Sequence, residues 1–333
     1  MTVRTIAHSI SRAVQEQLLC SQASRLKAHV LAVFEHACDL VTHAGDVVAL
    51  VTAHAGNGPL NIVVDDSVVD SPAGLFAGLE PGEPATLAVE CLWVGGLRVD
   101  LGQAALWEPR PDWDTLRARR DVILSSLPFL RDLCLRMAPA GSLLTGAGDG
   151  RRPGFSREIP TEVGRPSLVG ATLAAVWRAA EALREGWGGS VERLHEGALG
   201  LAGLGSGLTP AGDDFLTGTM LWAWLAHPAP APFCRALVEA AIPRTTVLSA
   251  AFLRAAARGE CSASWHGLLE ALSEGVGDRV PAPPVHGGAR IASQHRLLTA
   301  SQHRLLTAVQ ELMAHGATSG ADSLAGFLYA SEY

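Results

Sequence analysis

The sequence predicts an α+β protein, with a β-rich barrel- or sandwich-like domain over residues 1–111, opened by a leading helix, and a mainly helical domain over 112–333. Three observations carry this reading. Short β-branched runs separated by Gly/Pro turns crowd the first third of the chain. From Asp112 on, apolar residues recur at helical spacing between Ser and Gly cap signals. With 333 residues, 48% of them hydrophobic and 18% charged, the chain can bury two sizeable cores.

Taken in order, the β signals are "GDVVALVT" (45–52), "LNIVVD" (60–65), "ATLAVECLWVGG" (85–96) and "LRVDLG" (97–102). The turns between them are "HAGNGP", "LEPGEP" and "VGG", and the close spacing favours antiparallel strands. "WEPRPDW" (107–113) reads as a linker. "DWDTLRARRDVILSSL" opens the helical part with acids in its first turn. "GAGDGRRPGFSREIPTEVGRP" (146–166) reads as a loop. "SLVGATLAAVWRAAEALREG" and "SVERLHEGALGLAG" each open on Ser and meet Gly near their ends. "FLTGTMLWAWLA" (215–226) is apolar all round, the pattern of a helix buried on every side, with Trp222 and Trp224 as core. "TTVLSAAFLRAAARG" (245–259) and "SWHGLLEALSEG" (264–275) follow as helices, then "RVPAPPVHGG" (279–288) as a loop. "SQHRLLTA" occurs twice in tandem, at 293–300 and 301–308. Eight residues turn a helix face by about 80°, so the duplication reads as a longer helix or an absorbed loop, although Leu298, Leu305 and Leu312 keep one stripe.

Composition also excludes. A net charge of -7 disfavours nucleic-acid binding, and the short arginine clusters (Arg117, Arg119 and Arg120; Arg151 and Arg152) read as solvated faces. The six cysteines form no C-x-x-C pair, which points to free thiols in a cytoplasmic protein rather than to zinc or disulfides. The N-terminus has no apolar signal-peptide core. Phe215–Ala226 is too short to span a bilayer, so no membrane role is expected.

The chemistry concentrates in "GLGSGLTPAGDDFLTG" (203–218). It lacks the strand that precedes a dinucleotide fingerprint, the G-K-[ST] of a phosphate loop, and the first glycine of a nucleophile elbow. It reads instead as a glycine-rich loop feeding a helix, with Thr209 as N-cap and Pro210 in the first turn. Such an entrance favours an anion. "AGDDFLTG" (211–218) aligns without gaps to "SGADSLAG" (319–326), pairing Gly212 with Gly320, Asp214 with Asp322, Leu216 with Leu324 and Gly218 with Gly326.

Two helix starts facing one pocket follow from that pairing. Gly205, Gly207, Thr209, Gly212, Thr318, Ser319 and Gly320 are the expected anion-binding positions. Asp213, Asp214 and Asp322 are the expected catalytic set, orienting substrate or, alternatively, holding Mg²⁺ for a hydrolase. The competing structural readings are a capping box over Ser319–Asp322 and glycines that only let helices cross. Thr245 and Ser249, spaced i, i+4, add candidate hydroxyls. His54 could act as a base, although Asn57–Gly58–Pro59 is explained by turn chemistry. No H-x-x-x-H spacing proposes zinc, and no cofactor beyond the Mg²⁺ alternative is expected.

Three blocks, "GLGSGLTPAGDDFLTG", "TTVLSAAFLRAAARGE" and "HGATSGADSLAG", resemble in order the hallmark blocks of the AllH-type family, and "GNGPLNIVV" and "LWEPRP" extend the similarity to the front of the chain. The family takes its name from a subunit of the oxamate carbamoyltransferase of anaerobic allantoin breakdown, a route of purine catabolism. Ser206 stands where the pattern expects proline, and Ala317 where it expects histidine. The resemblance implies carbamoyl transfer between carbamoyl phosphate and a small amide acid, with FdrA-like and AllG-like partner subunits. The S-x-R-T-R loop of aspartate and ornithine carbamoyltransferases is absent, so binding would fall to backbone amides and hydroxyls. The rival classes are the Mg²⁺-dependent hydrolase and a non-catalytic structural subunit.

Overall fold

The computed structural model describes residues 3–20, 25–68, 74–147, 168–276 and 298–333. Within the first 107 residues, nine strands run β1 (Val3–Ser11), β2 (Leu26–Val33), β3 (Ala37–Thr42), β4 (Val47–Thr52), β5 (Asn61–Val64), β6 (Pro84–Leu87), β7 (Cys91–Val94), β8 (Leu97–Asp100) and β9 (Ala105–Trp107). Their order, β5-β4-β3-β2-β6-β7-β8-β1, closes when β1 pairs back onto β5, giving an eight-strand barrel with β9 extending β8 along β1. Closure removes the exposed sheet edges. The interior holds Leu40, Leu50, Ile62, Leu87 and Leu92, all fully buried.

Two details correct the sequence reading. The first described element is the strand β1, and the expected leading helix, α1 (Arg12–Cys20), comes after it. β1 is also the strand that closes the barrel: its alternating burial places Thr5, Ala7 and Ile10 inward. The sheet is mixed rather than antiparallel, since β1–β8, β1–β9 and β4–β5 are parallel. The stretch 53–60 is therefore not a hairpin turn, because parallel pairing makes the chain return to the end where β4 began. Asn61 Nδ2 donates to the Gly56 carbonyl at 2.9 Å, and Gly56 takes φ +72°, so the crossover is held by its own turn residues.

Beyond β9 the described residues are mainly helical: α2 (Trp113–Ala118), α3 (Arg120–Met137), α4 (Leu168–Trp187), α5 (Val191–Leu201), α6 (Ala211–Ala226), α7 (Pro230–Ala241), α8 (Val247–Ala257), α9 (Ala263–Glu274), α10 (Ala300–Met313) and α11 (Ser319–Ala330). A 3₁₀ turn spans Leu143–Ala147. The α+β class is thus as the sequence indicates. The helix α6 is buried on all sides: Phe215, Leu216, Met220 and Trp222 are enclosed, and Trp222 meets Phe327 of α11 edge-on at 5.2 Å. The end of the tandem "SQHRLLTA" copies explains where α10 starts. Thr299 lies at the end of the first copy and Gln302 in the second, and together they form a capping box across the junction. Residues 293–297 of the first copy and the expected loop at 279–288 lie outside the described residues, as does the expected loop at 146–166 beyond Gly146 and Ala147, which close that 3₁₀ turn.

The barrel and the helices share contacts. Leu60, Val41 and Val47 pack on Leu248 and Ala251 of α8. The crossover 53–60 adds two polar contacts, Ala263 N–H to the Asn57 carbonyl (2.9 Å) and the His315 ring Nε2 with the Ala55 carbonyl (3.3 Å). On the linker side, Cys261 N–H donates to the Pro109 carbonyl (2.8 Å), and Trp113 Nε1–H to the Gly259 carbonyl (2.9 Å).

Candidate functional site

The two aligned stretches become equivalent halves of one packing unit. Each follows a helix: α5 precedes α6, and α10 precedes α11. A Cβ on Gly212 would lie 2.1 Å from the Leu201 carbonyl oxygen at the end of α5, and one on Gly320 would lie 1.9 Å from that of Leu312 near the end of α10. A Cβ on Gly218 would meet the Ser323 carbonyl oxygen at 1.8 Å, and one on Gly326 the Phe215 carbonyl oxygen at 1.9 Å. Phe215 aligns with Ser323, so the last two contacts are reciprocal. The pair α6/α11 crosses about a local two-fold relation at a backbone separation only glycine permits.

This reassigns Gly212 and Gly320, which the sequence placed among ligand contacts. Their N–H groups already donate within the chain, to Leu204 (2.9 Å) and His315 (3.3 Å) carbonyls. Their missing side chains serve close packing. Gly205 and Gly207 sit in the exposed loop with φ +129° and +98°, where a glycine suits the backbone.

The helix starts also shift. Helix α6 begins at Ala211 with Pro210 as an N-cap that offers no side-chain bond. Thr209 therefore does not cap it; its hydroxyl reaches across to the Ser319 hydroxyl of α11 at 3.0 Å. Helix α11 begins at Ser319 with Thr318 as cap, so Ser319–Asp322 forms no capping box. Helix α8 begins at Val247, with Thr246 as N-cap accepting from Ser249 N–H (3.0 Å). Thr245 precedes that helix, and the i, i+4 pairing with Ser249, itself buried, does not arise.

The aspartates separate by environment. Asp213 Oδ1 accepts from Gly203 N–H at 3.0 Å, and Oδ2 accepts from the Thr245 hydroxyl. Both oxygens are thus taken, and Asp213 braces the loop against the start of the α8 segment. Next to it, Thr246 donates to the Leu208 carbonyl at 2.5 Å. Gly203, at φ +70°, leaves room for the Arg244 carbonyl, which a Cβ would meet at 2.2 Å.

Asp214 and Asp322 differ from it. They occupy the same position in the first turns of α6 and α11. Asp322 Oδ1 accepts from Leu143 N–H at 2.6 Å. The Oδ2 atoms of Asp214 and of Asp322 are both buried and without a hydrogen-bond partner, and no other carboxylate oxygen among the described residues is in that state. Burial pushes the Asp214 carboxyl well above the ordinary range, the Ser319 hydroxyl opposes this, and the charges of Asp322 and Asp213 add to it. Burial likewise raises Asp322, against the Leu143 amide and the Thr318 hydroxyl. Ser319 thus touches Asp214 and Thr209 from the opposite helix, and α6 and α11 meet at their N-terminal ends. Among the described residues, no group of three or more His, Cys, Asp or Glu side chains is disposed to hold a metal ion.

Sequence reasoning missed Leu143, which lies 179 residues from Asp322 and carries no motif. It also assigned no role to Thr246, which caps α8 and holds the Leu208 carbonyl. His54 packs on His36 (ring centroids 4.2 Å apart) in the barrel, beside the Ala55 carbonyl that His315 contacts.

No curated protein and no solved structure matches the chain. Two family models do: the AllH family N-terminal domain over residues 6–106, and oxamate carbamoyltransferase subunit AllH over residues 201–286. Together they cover more than half of the sequence, from the barrel through the Gly203–Gly218 loop and α8. The chain with this barrel and these paired glycine–aspartate helix starts therefore belongs to the AllH family of oxamate carbamoyltransferase subunits.

Proposed function

We propose that the chain works as a subunit of a carbamoyltransferase complex of the oxamate type, and that it holds carbamoyl phosphate or a small carboxylate or amide where α6 and α11 begin. One observation carries this reading: two buried, unpartnered carboxylate oxygens, Asp214 Oδ2 and Asp322 Oδ2, lie at the joined starts of two helices. Native proteins leave few buried polar atoms unpaired, and those they leave ask for an unseen partner. Thr209, Thr318 and Ser319 surround that position with hydroxyls, and Gly205 and Gly207 carry exposed backbone beside it. Two helix N-termini add partial positive charge for the anionic end of a ligand. Catalysis in the assembled complex would rest on positioning and charge stabilisation. Asp213, with both oxygens bonded inside the chain, supports the loop.

The proposed partners are FdrA-like and AllG-like subunits, and the proposed compartment is the cytoplasm. The six cysteines are all unpaired, as a reducing compartment favours. Among the described residues no helix is long and apolar enough to cross a membrane.

The test is thermal protection by carbamoyl phosphate and by oxamate, with the chain alone and with partner subunits. Protection that disappears in Asp214→Ala is the expected result. Absence of protection by either compound in both settings would overturn the proposal. Asp214→Asn with ligand protection equal to wild type would favour the purely structural subunit, a reading that the packing roles of Gly212, Gly218, Gly320 and Gly326 keep open.

A further inference from the structure

Resting on the reading above that the chain works inside a complex, we propose that the outer barrel face across β2, β6, β7, β8 and β1 docks an acidic surface of a partner subunit. The strand registers set five residues in one row across this face. Lys27 pairs with Thr86, Thr86 with Trp93, Trp93 with Arg98, and Arg98 with Arg4. Their strand neighbours Ala28, Ala85, Leu92, Leu97 and Thr5 are buried, so the alternation points the row outward. Four steps between neighbouring strands give it a length of about 19 Å. Arg25, just before β2, joins the row: its guanidinium lies 5.4 Å from the Trp93 ring centroid, and that of Arg98 lies 5.9 Å from it. Trp93 is thus flanked by two cations at cation–π distance. Lys27 Nζ donates to the Thr86 hydroxyl at 3.2 Å. Among the described residues, Arg4, Arg25, Lys27 and Arg98 make no ion pair with an acid. Asp100, two residues on from Arg98 in β8, accepts instead from Gly102 N–H at 2.9 Å. Arg4, Arg25 and Lys27 are exposed, and Thr86, Trp93 and Arg98 are half-buried. Helix α8 packs on strands outside the row, β3 and β4.

Charge and composition select the occupant. Four cations that no internal acid neutralises call for carboxylates on the surface that meets them. Trp and Arg are also the residues that most often carry binding energy at protein interfaces, whereas an ordinary solvated face is richer in Lys and Glu. Ile6, two residues beyond Arg4 in β1, is 49% exposed and adds apolar surface beside the row. A row of this length fits within the roughly 800 Å² that each partner buries in an interface of standard size. Nucleic acid fits less well. The chain carries a net charge of -7, and a face that binds single strands stacks successive bases on several aromatic rings, whereas this row holds Trp93 as its one aromatic residue.

The experiment measures binding of the full chain to the FdrA-like and AllG-like subunits by interferometry at about 50 and about 300 mM NaCl, where exposed charges are weakly and strongly screened. Wild type should bind at least one of the two, and about tenfold more weakly at the higher salt. The double change Arg4→Glu and Arg98→Glu should weaken binding at the lower salt by about 100-fold, and Trp93→Ala by at least about tenfold, with the thermal midpoint of the free chain kept. Lys27→Glu alters one fully outward side chain and should cost about tenfold on its own, so the readout does not hang on the double variant. Affinity that is equal in wild type and these variants, or that does not change with salt, would overturn the docking face while leaving the carbamoyltransferase reading in place. No binding of wild type to either subunit at either salt would overturn the partner reading, and the docking face with it. Binding of a labelled oligothymidylate by wild type, lost in a folded Trp93→Ala variant, would assign the face to nucleic acid and overturn the proposal.

Discussion

Asp213 and Asp214 are adjacent in sequence, yet one is fully bonded and the other is not. Asp213 spends both oxygens on Gly203 and Thr245. Asp214, with Asp322, keeps an oxygen buried and unpaired. An unpaired buried carboxylate weakens the fold, so the unliganded chain should gain stability when it is neutralised. The sign of the pH dependence follows from the direction of the shifts. Both carboxyls are raised, so the native state holds protons that the unfolded state releases near the ordinary carboxylate value of about 4. Stability is then greatest below that value and falls as pH rises through the folded-state values. Asp39 in β3, pushed up to about 6 by burial alone, contributes with the same sign. Urea midpoints from pH 5 upward should therefore decline for wild type, and Asp214→Asn should make that decline shallower. A wild-type midpoint that rises with pH across this range would contradict the assignment. Thr209→Val, which removes only the cross-helix contact with Ser319, should cost about 1 kcal/mol.

At the scale of elements, the fold turns on the crossing of α6 and α11. Gly218→Ala or Gly326→Ala would drive a Cβ to within 2 Å of a carbonyl oxygen, and the helices must separate to admit it. The expected loss is at least about 2 kcal/mol in chemical denaturation. Gly207→Ala meets open space and only a φ of +98°, so its loss should be nearer to about 1 kcal/mol. Equal costs at the three positions would show that the crossing is not the constraint. This crossing was legible in the sequence, because [AS]-G-x-D-x-L-x-G keeps the residues that packing and position demand. The first glycine sits on the preceding helix, the leucines Leu216 and Leu324 are fully buried, and the last glycine sits at the crossing. Bonds that depend on the folded path were not legible. Leu143 reaches Asp322 across 179 residues, and the Thr209 hydroxyl turns away from its own helix. The strand β1 escaped for a similar reason. "VRTIAHSIS" mixes Arg, His and Ser into its alternation, and its partners β8 and β9 lie far along the chain, beyond six intervening strands.

At the scale of the molecule, the barrel is joined to the helices that build the site. Leu60, Val41 and Val47 of the barrel press on Leu248 and Ala251 of α8. Just before that helix, Thr246 holds the Leu208 carbonyl of the glycine-rich loop, and Thr245 holds Asp213. The crossover 53–60 touches the approach to α11, where His315 contacts the Ala55 carbonyl and also accepts, through its own carbonyl, the Gly320 N–H. The barrel thus bears on both helix starts. Leu248→Asp tests whether that contact matters beyond local packing. Leu248 is buried, and a carboxylate there has no partner in a cluster of Val and Leu, so the barrel and helical parts should part company. In calorimetry, we expect the single transition of wild type to split into two, with loss of several kcal/mol of coupling. Protection by carbamoyl phosphate should fall in the same variant, because α8 no longer holds the loop that leads into α6. One sharp transition with unchanged ligand protection would mean that the helical part positions Asp214 and Asp322 without the barrel. The conserving change Leu248→Met, similar in volume and apolar, should keep both the single transition and the protection.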